Sequence, residues 1–159
     1  MTRVYVGIGS NIDRDANIRG GIAALKDQFG DVVVSRIYES PAFGFEGDNF
    51  YNLVAGFDTS CSLNELAEKL RTIEYTFGRK RHTERFLPRK LDIDLLLFGN
   101  LVCHDDQYDL PRDDIVRYAF VLCPLAEIAG QERHPELGES YAELWRVFDD
   151  NEQQIWPAS

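Results

Sequence analysis

The chain has 159 residues, of which 44% are hydrophobic and 28% charged, and its formal net charge at pH 7 is −10. This length predicts one domain, residues 1–159, that buries a core of its own without disulfides or a structural metal. The acidic balance argues against a general nucleic-acid binder, and no apolar run is long enough to span a membrane. Three cysteines without metal-ligand spacing, and an N-terminus without a signal-peptide core, favour a reduced, cytoplasmic protein.

The spacing of apolar residues predicts alternating strands and helices. Alternation predicts the first strand, and an apolar stripe at helical spacing that stops at Gly30 predicts the first helix. Ser62 and Glu65 form the capping box of a second helix, which Gly78 ends. The predicted strands cover residues 3–8, 32–38, 50–58 and 91–98, with a short partner at 101–102, and the predicted helices cover residues 18–29, 62–77, 120–128 and 141–148.

The order of these elements is strand, helix, strand, strand, helix, strand, followed by C-terminal helical additions. This order is typical of the ferredoxin-like α+β fold. We therefore predict a βαββαβ core with a mostly antiparallel sheet and helices on one face.

The last strand of this core carries two acidic side chains. Because side chains alternate along a strand, Asp92 and Asp94 share one face with their α-carbons about 7 Å apart. The aliphatic side chains Leu91, Ile93, Leu95 and Leu97 are predicted to share the other face. Two carboxylates at this spacing can hold hard divalent cations. An exposed polar face whose aspartates pair with arginines is the alternative, but the rarity of aspartate in strands favours a metal site.

A basic run precedes the two aspartates. From Arg79 to Lys90 six residues are basic and one, Glu84, is acidic. A solvated loop is the ordinary interpretation of an isolated charge run. Next to a divalent-metal site, however, arginine forks are what binding and transfer of a polyphosphate require. No P-loop, GxGxxG or kinase catalytic-loop motif is present, so the sequence predicts a nucleotide site of another kind.

Asn52 is an unusual residue for the middle of a strand. Its amide offers a donor and an acceptor, which suits the edge of a flat heterocycle. Phe50, together with Phe43, Phe86 or Phe120, is a candidate to stack on such a ring, and packing in the core is the alternative for each of these phenylalanines.

Several motifs follow one another in a fixed order along the chain: Gly9-Ser10-Asn11, Tyr38-x-Ser40-Pro41-x-x-Gly44, Phe50-x-Asn52-x-Val54, Glu74-x-x-x-Gly78-Arg79-x-Arg81, Pro88-Arg89-x-Leu91-Asp92-x-Asp94 and Pro124-Leu125. Together they resemble the 6-hydroxymethyl-7,8-dihydropterin pyrophosphokinase family of folate biosynthesis, which moves diphosphate from ATP to a pterin alcohol. The resemblance extends to about Ala129, and the P-R-x-L-D-x-D segment is highly specific.

The resemblance implies a catalytic set of Arg79, Arg89, Asp92 and Asp94, in which the two aspartates hold two Mg²⁺ ions. It implies that ATP, the co-substrate, contacts Glu74, Arg81, Arg85, Ile93, Arg112 and Asp113. It implies a pterin pocket made of Ser40, Pro41, Phe43, Phe50, Asn52, Phe86 and Phe120. The expected partners are ATP and hydroxymethyl-dihydropterin alone, bound by a monomer with no nucleic-acid or membrane partner.

Some positions depart from the usual family pattern. Arg112 stands where a nucleotide-contacting histidine is usual, Tyr118 where an arginine is often found, and Phe86 where a loop tryptophan is usual. These differences suggest a divergent branch. They leave open a pterin- or nucleotide-binding paralogue with lost or altered transfer chemistry. A ferredoxin-like RNA-binding module is a further alternative, against which the paired aspartates and the acidic chain both argue.

Overall fold

The computed structural model describes residues 1–41, 48–77, 91–149 and 153–158. In chain order its elements are β1 (Thr2–Ser10), α1 (Arg14–Phe29), β2 (Val33–Val34), β3 (Tyr38–Ser40), β4 (Phe50–Thr59), α2 (Leu63–Thr76), β5 (Asp92–Phe98), β6 (Cys103–His104), β7 (Asp109–Leu110), α3 (Asp114–Arg117), α4 (Ala119–Ala129), α5 (Tyr141–Arg146) and β8 (Trp156–Pro157). None of the helices in the described ranges is long and apolar enough to cross a membrane.

The strands of the main sheet lie in the order β5-β1-β4-β3-β8, and the short β2 also pairs with β4. All of these pairings are antiparallel. The two longest strands, β1 and β4, lie at the centre, and the sequence-distant β5 pairs with β1 at one edge. This is the ferredoxin-like α+β arrangement, so the predicted fold class is confirmed.

One face of the sheet packs against α1 and α2. Alternation along β1 directs Val4, Val6 and Ile8 to this face, and each is almost fully buried. Side chains of this size contribute about 1.5–3 kcal/mol each when they are fully buried. The helices supply Ile18, Leu25, Leu66, Leu70 and Ile73 to the same cluster. The predicted capping box starts α2, because Ser62 Oγ accepts from the Glu65 N–H and the Ser62 N–H donates to Glu65 Oε1.

The C-terminal helices cover part of the opposite face. Tyr5, Val54 and Leu96 form a second buried cluster there, together with residues from α3, α4 and α5. The helical partners in this cluster are Ile115, Val121, Leu122, Leu125, Ala129 and Tyr141. The helical additions therefore turn a face that would otherwise be open into the wall of a cavity.

A β-bulge interrupts the predicted alternation of β5. Tyr5 of β1 pairs with Leu97, but the next residue, Val6, pairs with Leu95, so Leu96 is an extra residue in β5. The bulge turns Leu97 to the second face, where it is buried with Leu96. The prediction that Leu97 shares the face of Ile93 was therefore wrong.

Two short elements also differ from the prediction. Residues 32–38 form two strands instead of one, because Ser35 interrupts them and its Oγ accepts from the Val54 N–H at 3.0 Å. Residues 101–102 are not a strand; the short hairpin instead joins β6 to β7.

Candidate active site

Asp92 and Asp94 lie at the beginning of β5, beside two glycines of β1. In the sheet, Gly9 pairs with Asp92 and Gly7 pairs with Asp94. Residues that pair directly across two strands share a face, so on β1 each of the two carboxylates has a glycine hydrogen atom beside it and no side chain. Ile93, between the aspartates, points into the first hydrophobic cluster. Both carboxylates consequently lie on the second face, as alternation predicted, and both line one cavity.

The two carboxylates destabilise each other. Burial, and then the negative charge of Asp92, raise the pKa of Asp94 above its usual range. Arg112 opposes this shift, with its Nη2 3.8 Å from Asp94 Oδ1 and its Nε donating to Asp114 Oδ2 at 3.1 Å. The Arg112 N–H also donates to the Leu96 carbonyl at 2.9 Å, which holds the segment after β7 against the edge of β5. Among the residues that the structure describes, this end of the cavity therefore gathers three carboxylates, Asp92, Asp94 and Asp114, around the guanidinium group of Arg112.

Glu74 lies behind β5, at the end of α2. It is 7% exposed, and its Oε2 accepts from the Ile93 N–H at 2.8 Å. The contact gives the edge-strand N–H a partner and fixes α2 against the strand that carries the aspartates. Glu74 and Ile93, both predicted to contact ATP, thus contact each other, but neither of them lines the cavity, and their contact with ATP stays a prediction.

Asn52 and Ser40 lie at the other end of the cavity. Asn52 is 9% exposed, and its Nδ2 donates to Ser40 Oγ at 3.2 Å. Its position depends on Gly9, which pairs with it from β1: a methyl group added at Gly9 would lie 2.7 Å from Asn52 Oδ1. After the bond to Ser40 the Asn52 amide still has a second N–H and acceptor lone pairs, which suit the edge of a heterocycle.

Aromatic rings border the Asn52 end. Tyr118 and Phe120, around the start of α4, stack on each other with their ring centroids 5.1 Å apart. Phe50 pairs with Ser40 across β3 and β4 and lines the same cavity. The cavity has a volume of about 380 Å³, within the range of small-molecule sites. It is lined by residues that include Gly7, Gly9, Ser40, Pro41, Phe50, Asn52, Asp92, Asp94, Arg112, Asp114, Tyr118 and Phe120.

Not every expected site residue lies in this cavity. Asp113 is exposed and its carboxylate accepts from Arg117 at 3.2 Å, whereas the next residue, Asp114, lines the cavity. Nothing in the local sequence distinguishes these two aspartates, so Asp114 was missed. The expected residues Phe43, Arg79, Arg81, Arg85, Phe86 and Arg89 lie outside the described residues.

The acidic, loop-like sequence around His104 and His134 predicts a surface position for both histidines. His104 is exposed, as predicted, but the prediction for His134 is wrong. His134 is only 6% exposed, because its Nδ1 accepts from the N–H groups of Glu136 and Leu137 and its ring packs edge-on against Tyr141.

The contact between Gly9 and Asn52 gives a first prediction. Gly9→Ala should displace the Asn52 side chain, since the added methyl group cannot fit at 2.7 Å from Oδ1. We expect binding of a heterocycle at the Asn52 end to weaken about tenfold, an effect of the size of one lost hydrogen bond to a buried polar group. Gly7→Ala is the matched control, because a methyl group there would meet Leu96 at an ordinary 3.7 Å. Equal effects of the two substitutions in a ligand titration would contradict the role given to Gly9.

The fold and the cavity together define a ferredoxin-like α+β domain whose described residues form a two-ended cavity. Carboxylates and a guanidinium group lie at one end, and an amide and aromatic rings lie at the other. The profile of the 7,8-dihydro-6-hydroxymethylpterin-pyrophosphokinase (HPPK) family matches residues 5–130. The chain belongs to this family. The predicted family and enzyme class, an ATP-dependent diphosphokinase, are thereby confirmed.

Individual relatives agree with this assignment. The 2-amino-4-hydroxy-6-hydroxymethyldihydropteridine pyrophosphokinase of Aquifex aeolicus is 37% identical over 139 residues, which is 85% of each chain. The enzyme of the same name from Bacillus subtilis is 36% identical over 149 residues, 91% of this chain and 89% of the relative. Among solved structures, wild-type Plasmodium falciparum HPPK-DHPS with STZ-DHP matches with a TM-score of 0.71 at 12% identity, over 91% of this chain and 41% of that chain. This last similarity supports the fold alone.

Proposed function

We propose that the chain, as a cytoplasmic monomer with one domain over residues 1–159, transfers diphosphate from ATP to 6-hydroxymethyl-7,8-dihydropterin in a Mg²⁺-dependent reaction of folate biosynthesis. The hydroxymethyl oxygen attacks the β-phosphorus, and the bond from that phosphorus to the oxygen bridging to the α-phosphorus breaks. The products are the pterin diphosphate and AMP, which keeps the bridging oxygen, and the hydroxyl proton is released. The names of the relatives support the substrate, and the three cysteines, none of which forms a disulfide bond, are consistent with a reducing compartment.

The main observation in support of the proposal is that three site residues are aligned across the sheet. Asp92, Gly9 and Asn52 pair side by side on β5, β1 and β4. Adjacent strands lie about 4.8 Å apart, so the acidic end and the amide end are separated by about 10 Å. With no side chain at Gly9, an elongated ligand can lie across β1 and contact both ends. A heterocycle at Asn52 would direct its substituent towards the phosphates held at Asp92.

The acidic end also fits Mg²⁺. Magnesium in phosphate-transfer sites is usually bound by one or two carboxylates together with substrate phosphates. Asp92 and Asp94 supply such a pair. Burial and the charge of Asp92 raise the pKa of Asp94 although Arg112 opposes the shift, so a cation bound between the two carboxylates would relieve their repulsion. Among the described residues no group of three or more ligating side chains is arranged to hold a metal. Phosphate oxygens of ATP would complete the coordination of an ion held by Asp92 and Asp94. When bound, Mg²⁺ would neutralise charge on the phosphate oxygens.

The remaining side chains of the cavity bind and orient the substrates. Asn52 would fix the pterin edge, while Phe50 and Phe120 would cover the ring and exclude water. Arg112 is placed to contact phosphate oxygens from the α3 side, and the predicted contacts of Arg79, Arg81, Arg85 and Arg89 would do so from the basic run. Orientation and charge compensation of this kind supply most of the rate enhancement in phosphoryl-type transfer.

The second prediction concerns the product and tests the proposed function. Incubation with ATP, Mg²⁺ and hydroxymethyl-dihydropterin should give AMP and pterin diphosphate in equal amounts, because attack at the β-phosphorus leaves only one phosphate on the nucleoside. Chromatography of nucleotides and pterins measures both products. ADP as the main nucleotide would place the attack at the γ-phosphorus and contradict the proposal. Binding of both ligands without any product would instead support the non-catalytic paralogue.

The third prediction concerns the amide. Asn52→Ala should raise the dissociation constant for the pterin about tenfold to a hundredfold, since the buried ring edge loses its partner at a cost of about 1–3 kcal/mol. ATP binding should change little, because Asn52 lies at the opposite end from the aspartates. Titration calorimetry of each ligand separates the two effects, with the exposed Asn100→Ala as control. An equal loss for both ligands would make Asn52 a structural residue.

A further inference from the structure

Tyr38 and Glu127 join β3 to α4 beside the cavity. The Tyr38 hydroxyl donates to Glu127 Oε1 at 2.7 Å, and the backbone N–H of Arg36 donates to Glu127 Oε2 at 2.8 Å. Both oxygens of one carboxylate therefore accept from the chain leading into β3, at positions two residues apart. Hydrogen bonds to an ionised acceptor are stronger than those between neutral groups. Helix α4 cannot slide along β3 without breaking at least one of them.

On the strand side, Tyr38 adjoins the Asn52 end of the cavity. Tyr38 pairs directly with Asn52 across β3 and β4, so the two side chains share the second face of the sheet. Ser40, two residues further along β3, shares that face and accepts the Asn52 hydrogen bond at 3.2 Å. A shift of Tyr38 relative to α4 would therefore move Asn52 and Ser40, the two polar side chains that line this end of the cavity.

On the helix side, Glu127 lies on the same face of α4 as Phe120. Seven residues separate them, which is nearly two full turns and a rise of about 10.5 Å. Cys123 lies between them on this face, and its thiol contacts the Tyr38 hydroxyl. Pro124 cannot donate the usual helical hydrogen bond to the Phe120 carbonyl, which weakens the helix at that point. Tyr38 therefore contacts α4 on both sides of the proline and holds the two parts in one alignment.

We propose that Tyr38 and Glu127 are positioning residues for the pterin: their hydrogen bond sets the spacing between Asn52 on the sheet and Phe120 on α4. The inference rests on the proposed function, because it takes the heterocycle between these two residues to be the pterin. Neither Tyr38 nor Glu127 lines the cavity, so both act through the residues that do. Pterin affinity should depend on the pair, whereas nucleotide affinity should not.

The chain contains a matched control for this pair. Tyr5 of β1 is also almost fully buried on the second face, and its hydroxyl donates to Glu132 Oε2 just beyond the end of α4. Tyr5 lies four residues from Gly9 along β1, about 13 Å away, and it does not line the cavity. Tyr5→Phe removes the same type of hydrogen bond as Tyr38→Phe, but neither Tyr5 nor its strand partners Gly56 and Leu97 line the cavity.

The experiment compares Tyr38→Phe, Glu127→Ala and Glu127→Gln with Tyr5→Phe. The dissociation constant for hydroxymethyl-dihydropterin is measured in the presence of Mg²⁺ and α,β-methylene-ATP, an analogue whose α–β linkage cannot break. The dissociation constant for this nucleotide analogue is measured separately. Tyr38→Phe should raise the pterin constant about three- to tenfold, the effect of one lost hydrogen bond. Glu127→Ala also removes the acceptor of the Arg36 N–H, so it should raise the pterin constant by at least as much. Both variants should leave the nucleotide constant within about twofold. Glu127→Gln keeps one acceptor oxygen and should have a smaller effect. Tyr5→Phe should lower the melting temperature but leave the pterin constant unchanged.

A double variant adds a second test. If the two side chains act through one hydrogen bond, Tyr38→Phe combined with Glu127→Ala should weaken pterin binding no more than the stronger single change. Normal pterin binding by Tyr38→Phe and Glu127→Ala would overturn the inference, as would an equal loss in Tyr5→Phe. Glu127 is exposed, so its variants test the pair even if Tyr38→Phe does not fold. If the wild-type protein bound the nucleotide but no pterin, the proposed function would be refuted, and this inference with it. If the wild type bound the pterin but the variants bound it equally well, only this inference would be refuted.

Discussion

Asp92→Ala and Asp94→Ala are each expected to lower the turnover number about a thousandfold or more and to weaken Mg²⁺-dependent ATP binding. Charge compensation by a bound cation is worth several kcal/mol in the transition state of such a transfer, and loss of either carboxylate would remove half of the protein's contribution to it. Because both side chains lie on a rigid strand, ATP binding should suffer as well as the rate. Equilibrium nucleotide titrations with and without Mg²⁺, beside single-turnover rates, measure the two losses.

A control for these variants is Asp58→Ala. Asp58 also lies on a strand, but it is exposed and pairs with Arg3 at 3.4 Å outside the cavity lining. We expect normal binding and a normal rate for this variant. If Asp92→Ala and Asp94→Ala also kept Mg²⁺-dependent binding and rate, the assignment of the aspartates to the metal would be wrong.

Asp94→Asn tests the electrostatics of the same site through stability. A carboxyl group whose pKa is raised on folding holds its proton more tightly in the folded state, so ionising it destabilises the fold as the pH rises. Burial and Asp92 raise the pKa of Asp94 in this way. Without ligands, Asp94→Asn should therefore melt at a higher temperature than the wild type at pH 8. The difference should shrink as the pH falls below the raised pKa of Asp94, and it should disappear only below the pKa of an unfolded aspartate, about 4, where the carboxyl is protonated in both states. A gain in stability alongside a loss of activity is typical of a residue kept for function.

The sequence was sufficient to predict the fold because its main signals are local. The alternation of Val4, Val6 and Ile8 and the capping box of Ser62 and Glu65 each depend on neighbours along the chain. The bulge at Leu96 depends instead on how β5 pairs with β1 and on what α4 buries above it. No local pattern contains that information, and the alternating run in β5 therefore misled the prediction for Leu97.

The same distinction applies to the site. Asp92, Asp94 and Asn52 could be found in the sequence because polar residues are rare in the middle of strands. The role of Gly9 could not, because it follows from the register that places Gly9 between Asp92 and Asn52. The register is a property of the paired sheet. The choice between Asp113 and Asp114 likewise depends on how the short helix α3 is oriented over β5.

Among the described residues that line the cavity, Arg112 supplies the positive charge at the acidic end. It lies 3.8 Å from Asp94 and 3.1 Å from Asp114, so both carboxylates hold its guanidinium group at the mouth of the site. In the free protein this contact offsets part of the repulsion at Asp94. In the proposed complex with ATP, the same group would contact a phosphate oxygen, and the two carboxylates would orient it.

Arg112→Ala should therefore lower kcat/KM about a hundredfold or more, the loss expected for one fixed donor to developing charge. Arg112→Lys should recover only part, because an ammonium group cannot contact Asp114 and a phosphate with the same planar fork. Asp114→Asn keeps an acceptor for Arg112 but removes its charge, so it should give a smaller loss. Steady-state rates at varied ATP concentration measure the effects of all three substitutions. Arg19→Ala is the control, because Arg19 is exposed on α1 and, among the described residues, forms an ion pair only with Asp15. A silent Arg112→Ala would show that the basic run alone supplies the positive charge, and the catalytic arginines would then have to be sought between Arg79 and Lys90.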